Sequence, residues 1–112
     1  MYNRLLLRGI ELRYALTLYL AQHGPTTVAD LIDAMNYQGF DIPGRASKTV
    51  SDALRREIVN GRVRRLRRGR YGPGSMPRAT EYRIHRRVLA LREEAAERSG
   101  RDDDAFWDAL GA

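Results

Sequence analysis

Apolar positions along this chain recur with a helical period, lapse, alternate briefly and then return to a helical period. From Asn3 to His23, Leu6, Ile10, Tyr14 and Leu18 follow at intervals of four, and Leu5, Leu12, Leu16, Tyr19 and Leu20 widen the stripe past a third of the circumference. This predicts a first helix buried by more than one neighbour, as the central core helix or by sharing its surface with a second subunit. His23-Gly24-Pro25 ends it. Thr26-Thr27 is a short β-prone pair able to cap a second helix over residues 28–38, whose apolar face is Val28, Leu31, Ile32 and Met35. Asp30 and Asp33 suit its positive N-terminal end, and Gly39 can close it. Phe40 and Ile42 are expected to plug into the core from the following loop, before the Pro43-Gly44 turn.

A third helix is predicted over residues 47–60, capped by Ser47 or Thr49, with Val50, Leu54 and Ile58 forming its buried stripe. Asn60-Gly61 is a helix stop. Residues 62–67 then read as a strand with Val63 and Arg65 on one face, and Arg64 and Leu66 on the other. The run RGRYGPGSMP, residues 68–77, reads as a loop, and the return strand falls at 79–85, where Tyr82 and Ile84 alternate with Glu81 and Arg83. A last helix is expected at 86–98, with Ile84, Val88, Leu91 and Ala95 at coiled-coil spacing and Ser99-Gly100 as its end. Residues 102–110 could add one helical turn with Phe106, Trp107 and Leu110 on one side. The expected class is α+β, mainly α with a small β-hairpin, divided as a domain at 1–85, an added helix at 86–100 and an acidic tail at 101–112.

Charge sharpens this picture. Residues 45–92 hold fifteen basic and three acidic side chains, while residues 1–44 are nearly balanced and residues 93–112 are acidic by five. Such a cationic block suits nucleic acid, because phosphate contacts release condensed counterions. Nineteen of the twenty basic residues are arginine, whose fork fits phosphates and guanine edges, although a GC-rich genome also favours arginine codons. There is no cysteine for disulfides or thiolate metal sites, and no apolar run long enough to span a membrane. No cleavable leader pattern is evident at the start, so a cytoplasmic, nucleoid-associated location is expected.

The order helix, short strand, helix, helix, strand, strand resembles the winged helix-turn-helix family. The resemblance rests on the helix Val28–Gln38, the Pro43-Gly44 turn, the helix Ser47–Asn60 and the run GRVRRLRRGRY, residues 61–71. Similar phrasing occurs in MarR-like, PadR-like and HARE-type winged helices. The resemblance implies double-stranded DNA as partner, with the helix from Ser47 in the major groove and the basic wing, residues 62–85, on the backbone or minor groove. It also implies that the helix from Arg86 is similar to the C-terminal dimerisation helix of PadR-like regulators. The loop is long for this family, and no ligand-binding domain is appended.

Lys48, Thr49, Ser51, Asp52, Arg55 and Arg56 are the groove candidates on the helix, and Arg64, Arg65, Arg67, Arg68 and Arg70 those on the wing. Asp52 can accept from cytosine, or pair with Arg55 or Arg56 one turn on. Arg68-Gly69-Arg70 could lie in a narrow minor groove, or form an ordinary turn touching phosphate only. His23 and His85 lack metal-ligand spacing, no serine sits near a His–acid pair, and Gly72-Pro73-Gly74 reads as a turn. No cofactor, small-molecule effector or enzymatic activity is therefore expected. The leading expectation is a homodimeric transcription regulator; a low-specificity architectural protein and a protein-docking winged helix are the alternatives. The acidic tail could pack on its own domain, bind another protein or compete with DNA for the basic wing.

Overall fold

The computed structural model describes residues 3–111, with residues 100–111 described by their backbone alone. The chain folds as an α+β unit: β1 (Leu5–Leu6), α1 (Gly9–His23), β2 (Thr26–Thr27), α2 (Val28–Tyr37), β3 (Phe40–Asp41), α3 (Ala46–Val59), β4 (Val63–Arg67), β5 (Arg70–Pro73) and α4 (Arg78–Gly111). β1 lies parallel to β3, and β5 sits between β2 and β4 in a three-stranded antiparallel sheet. No helix among the described residues is long and apolar enough to cross a membrane.

α1 is the core helix. Leu12, Leu16 and Leu20 are buried along it, and it packs against α2, α3, α4 and β5. It starts at Gly9, later than the sequence pattern predicts. Gly9 takes a positive φ of 59°, and the leucines before it alternate as in a strand, with Leu5 and Leu7 buried and Leu6 outside. The Leu5 and Leu7 amides donate to the Gly39 and Asp41 carbonyls at 2.9 Å. Leu6 and Ile10 of the expected stripe are therefore exposed.

α2 begins as its residues dictate: the Thr27 hydroxyl accepts from the Asp30 amide at 3.1 Å. Leu31 and Met35 fill the core, joined by Phe40 from β3. α3 starts one residue before Ser47. Arg45 is its N-cap and no side chain caps it; the expected caps Ser47 and Thr49 lie inside the helix, and the Thr49 hydroxyl donates to the Pro43 carbonyl at 2.8 Å. At its far end Gly61, with φ of 77°, stops the helix as expected.

The hairpin differs most from expectation. The chain reverses at once through Arg68-Gly69, so the return strand is Arg70–Pro73 and not residues 79–85. Gly69 supplies the required positive φ of 73°. Tyr71 then faces the interior and pairs with Thr26, which completes the sheet. The base of the hairpin closes where the Gly74 amide donates to Arg62 and the Ser75 amide to Gly61; a Cβ at Gly74 would overlap the Gly61 carbonyl. The segment expected as a strand is the first turns of α4, which keeps Ile84 buried but leaves Tyr82 outside. The boundary drawn at residues 85/86 falls inside this helix. Ile84, Val88, Leu91 and Ala95 form the seam that the spacing predicts, all buried. The backbone continues as helix past Ser99-Gly100 to Gly111, so the tail is no separate turn; the side chains of Phe106, Trp107 and Leu110 lie outside the described residues.

One feature of α3 escapes the periodicity. Glu57, not Ile58, is the fully buried residue of its last turn, with 0% exposure. Arg62 grips it with Nε and a terminal nitrogen at 2.6 and 3.0 Å, and Arg13 of α1 stands 3.8 Å away. The Arg62 guanidinium also lies 5.9 Å from the Tyr14 ring centre. This hydrogen bonding raises the Arg62 pKa above its ordinary value. Replacing Glu57 by alanine strands a partly buried guanidinium. The expected loss is about 3–5 kcal/mol of folding stability, read by urea denaturation as a lower midpoint with unchanged slope.

Candidate nucleic-acid interface

α3 and the hairpin form two walls of one groove of about 650 Å³. Ser47, Ser51 and Arg55 line the helical wall at intervals of four residues, one above the other on the same face. Arg65, Arg68 and Tyr71 line the other wall, with Ile58 and Val28 also bordering the hollow. The hairpin tip is tied to the body, because the Val28 amide at the start of α2 donates to the Gly69 carbonyl at 3.1 Å. The opposing wall is fixed at its base by the Glu57–Arg62 ion pair.

Of the eleven side chains expected to contact DNA, Ser51, Arg55, Arg65 and Arg68 meet in this groove. Lys48 and Asp52 lie beside it on α3. The Lys48 ammonium donates to Asp52 at 2.8 Å, and Arg55 lies 3.8 Å from the same carboxylate. Asp52 thus takes an ion-pair role on the helix, with Lys48 as its hydrogen-bonded partner and Arg55 as a second cation. Thr49 is half-buried, with its hydroxyl engaged by Pro43. Arg56 is exposed but does not line the groove. Arg64 donates its Nε to the Pro73 carbonyl at 3.1 Å, and Arg67, opposite Arg70 at the hairpin end, is exposed. Arg70 lines a separate hollow with Tyr19, His23 and Asp30. Arg68 and Arg70 therefore line different hollows on either side of the turn.

Ser47 and Tyr71 belong to the groove but were not among the expected contacts. Ser47 precedes Ser51 by one helical turn, a signal present in the sequence. Tyr71 needed the hairpin register, which sets it opposite Arg65.

The groove is cationic in more than composition. Among the described residues, no acidic side chain ion-pairs with Arg56, Arg64, Arg65, Arg67, Arg68 or Arg70. Four paired arginines tie distant segments of the fold together: Arg4 meets Asp41, Arg87 meets Glu11, and Arg62 and Arg13 meet Glu57, whereas Arg55 and Arg98 pair within their own helices with Asp52 and Glu94. Among the described residues no group of three His, Cys, Asp or Glu side chains could hold a metal ion. No family model matches the chain, and neither a curated protein nor a solved structure matches it.

The Lys48 hydrogen bond outweighs desolvation and, with the nearby charges of Lys48 and Arg55, holds the Asp52 carboxyl below its ordinary pKa of 3.8. A depressed folded pKa gives a contribution that is present above the unfolded value and lost as pH falls through the folded one. The stability difference between the wild type and Asp52→Asn, from urea titrations, is expected to be small and constant above pH 3.8 and to close as the pH falls further.

Proposed function

We propose that this chain is a non-enzymatic, sequence-specific DNA-binding protein of winged helix-turn-helix type, acting as a homodimeric transcription regulator. The observation that carries this reading is the groove in which Ser47, Ser51 and Arg55 of α3 face Arg65 and Arg68 of the hairpin. Arg65 and Arg68 are exposed and have no acidic partner among the described residues, so their guanidinium donors are available to phosphate.

The element order supports the same reading. From α1 onward a helix, a short strand, a helix, a second short strand, a helix and a tight hairpin follow in sequence, and the strand after α1 joins the hairpin sheet. In this proposal α3 enters the major groove, led by its N-terminal half, and the hairpin acts as the wing on the neighbouring backbone. One phosphodiester strand then passes between the two walls. Hydroxyls from Ser47 and Ser51 position the duplex, while Arg55 reaches base edges or phosphate. Lys48 and Arg55 both pair with Asp52 on the exposed face of α3. Regulation follows by occlusion of the bound site.

Fluorescence anisotropy with duplex DNA across a salt series tests the proposal. Arg65→Ala and Arg68→Ala are each expected to weaken binding on every sequence and to lower the salt slope by about 0.9. Arg55→Ala is expected to cost about 1–3 kcal/mol on the selected site and to relax base preference there. Two inverted half-sites recovered by selection support a dimeric regulator, whereas one steep slope shared by all sequences points to architectural binding. Wild-type affinity in a variant carrying Arg55→Ala, Arg65→Ala and Arg68→Ala together would overturn the interface.

A further inference from the structure

A second concavity, of about 780 Å³, lies apart from the groove between α3 and the hairpin and shares no lining residue with it. Four elements build its walls. The C-terminal end of α1 supplies Tyr19 and His23, whose rings stack with centroids 4.2 Å apart. One side of α2 supplies Asp30, Asp33 and Tyr37, at helical intervals of three and four residues. Arg70 enters from β5 and Arg92 from α4.

The charges of this hollow are unmatched. It sets two carboxylates against two guanidiniums, yet none of the four forms an ion pair with a side chain among the described residues. The gap between the opposite charges is therefore wider than a direct pair. The signs are also divided by element, with both acids on α2 and the arginines on β5 and α4. Thr27 lies opposite Arg70 in the sheet, and its hydroxyl accepts from the Asp30 amide. The acidic wall thus begins one helical turn from the first guanidinium.

These walls select a ligand by its chemistry. An ammonium has three donors and suits the carboxylates, whereas a carboxylate suits the arginine fork. A molecule with both charges close together spans the gap, and one with a single charge leaves a wall unmatched. The rest of the lining is aromatic or apolar, with Pro25 and Ala34 beside the tyrosines. Tyr37 keeps 93% of its surface open, so an apolar group laid against it gains by covering it. The volume falls in the range of roughly 300–1,000 Å³ usual for small-molecule sites.

We infer that this hollow binds a free α-amino acid with an apolar or aromatic side chain. Asp30 and Asp33 receive its ammonium, Arg70 and Arg92 its carboxylate, and Tyr19 and Tyr37 cover its side chain. No continuous run of sequence signals the site, because its walls meet only in the folded chain. The site does not rest on DNA binding, since its lining is separate from that of the α3–hairpin groove.

The test is an NMR titration of the isotopically labelled full chain with each standard L-amino acid in turn. Saturable shifts at Tyr19, Tyr37 and Arg70 are expected from at least one apolar or aromatic amino acid by roughly 10 mM, with Ser47, Arg65 and Arg68 unmoved. For the best of these, the matching amine without the carboxylate and the matching acid without the ammonium are each expected to bind about tenfold or more weakly. Asp33→Asn and Arg92→Ala, both at exposed positions, are each expected to weaken binding about as much while leaving the urea midpoint of the ligand-free protein in place. No saturable shift from any apolar or aromatic amino acid would overturn the site. So would equal binding of either one-charge analogue, wild-type affinity in either variant, or shifts confined to the α3–hairpin groove.

Discussion

The buried carboxylate of Glu57 fixes the relation between α3 and the hairpin. Removing a carboxylate from water costs several kcal/mol, so it stays ionised inside only when cations and hydrogen bonds surround it. Here Arg62 supplies two hydrogen bonds from the first residue past the helix stop, and Arg13 adds a second cation from α1. The three residues come from the end of α3, the root of β4 and the middle of the core helix. Such a cluster contributes less to net stability than a hydrophobic one of similar volume, but it admits few alternative geometries. The cluster ties the end of α3 to the root of β4 and to α1, and so joins the two elements that border the groove.

A second attachment sits at the opposite end of the hairpin. Val28 of α2 holds the Gly69 carbonyl, and Tyr71 pairs with Thr26, so the strands are gripped at root and tip. Between these points the arginines face outward without acidic partners among the described residues. The chain thus divides its arginines by role. Arg4, Arg13, Arg62 and Arg87 pair with acids from distant segments and tie the fold together, whereas Arg65 and Arg68 on the hairpin are exposed with no acidic partner among the described residues. Preorganised donors lose less rotamer freedom on meeting phosphate than the same residues on a mobile loop.

Features governed by near neighbours were legible in the sequence. The Thr27 cap, the Gly61 stop, the buried Val50–Leu54 stripe and the Ile84–Ala95 seam all follow from residues within one or two turns. Pairings between distant segments were not. Leu5–Leu6 reads as helix until Phe40–Asp41 is known to lie beside it, and alternation at 79–85 is weak because Ile84 fits a helical seam equally well. The short return strand was obscured by glycines at 69, 72 and 74, which permit either a tight hairpin or a long loop. Glu57 was the least legible of all, since a charged residue on a helix reads as solvated unless its partner Arg62 is placed. In the candidate site, Arg55, Arg65 and Arg68 were readable from charge and spacing. Their convergence with Ser47 and Tyr71 came from the hairpin register, as did the departure of Arg70 to another hollow.

The arginine side chains report directly on whether this groove is the surface that meets nucleic acid. Titration of the labelled protein with a short DNA duplex, followed by NMR of the arginine Nε–H resonances, distinguishes the two populations in one experiment. The account predicts progressive shifts at Arg55, Arg65 and Arg68, with Arg13 and Arg62 unmoved because Glu57 holds them. Shifts confined to Arg83 and Arg86 of α4, with the groove arginines unchanged at saturation, would contradict it.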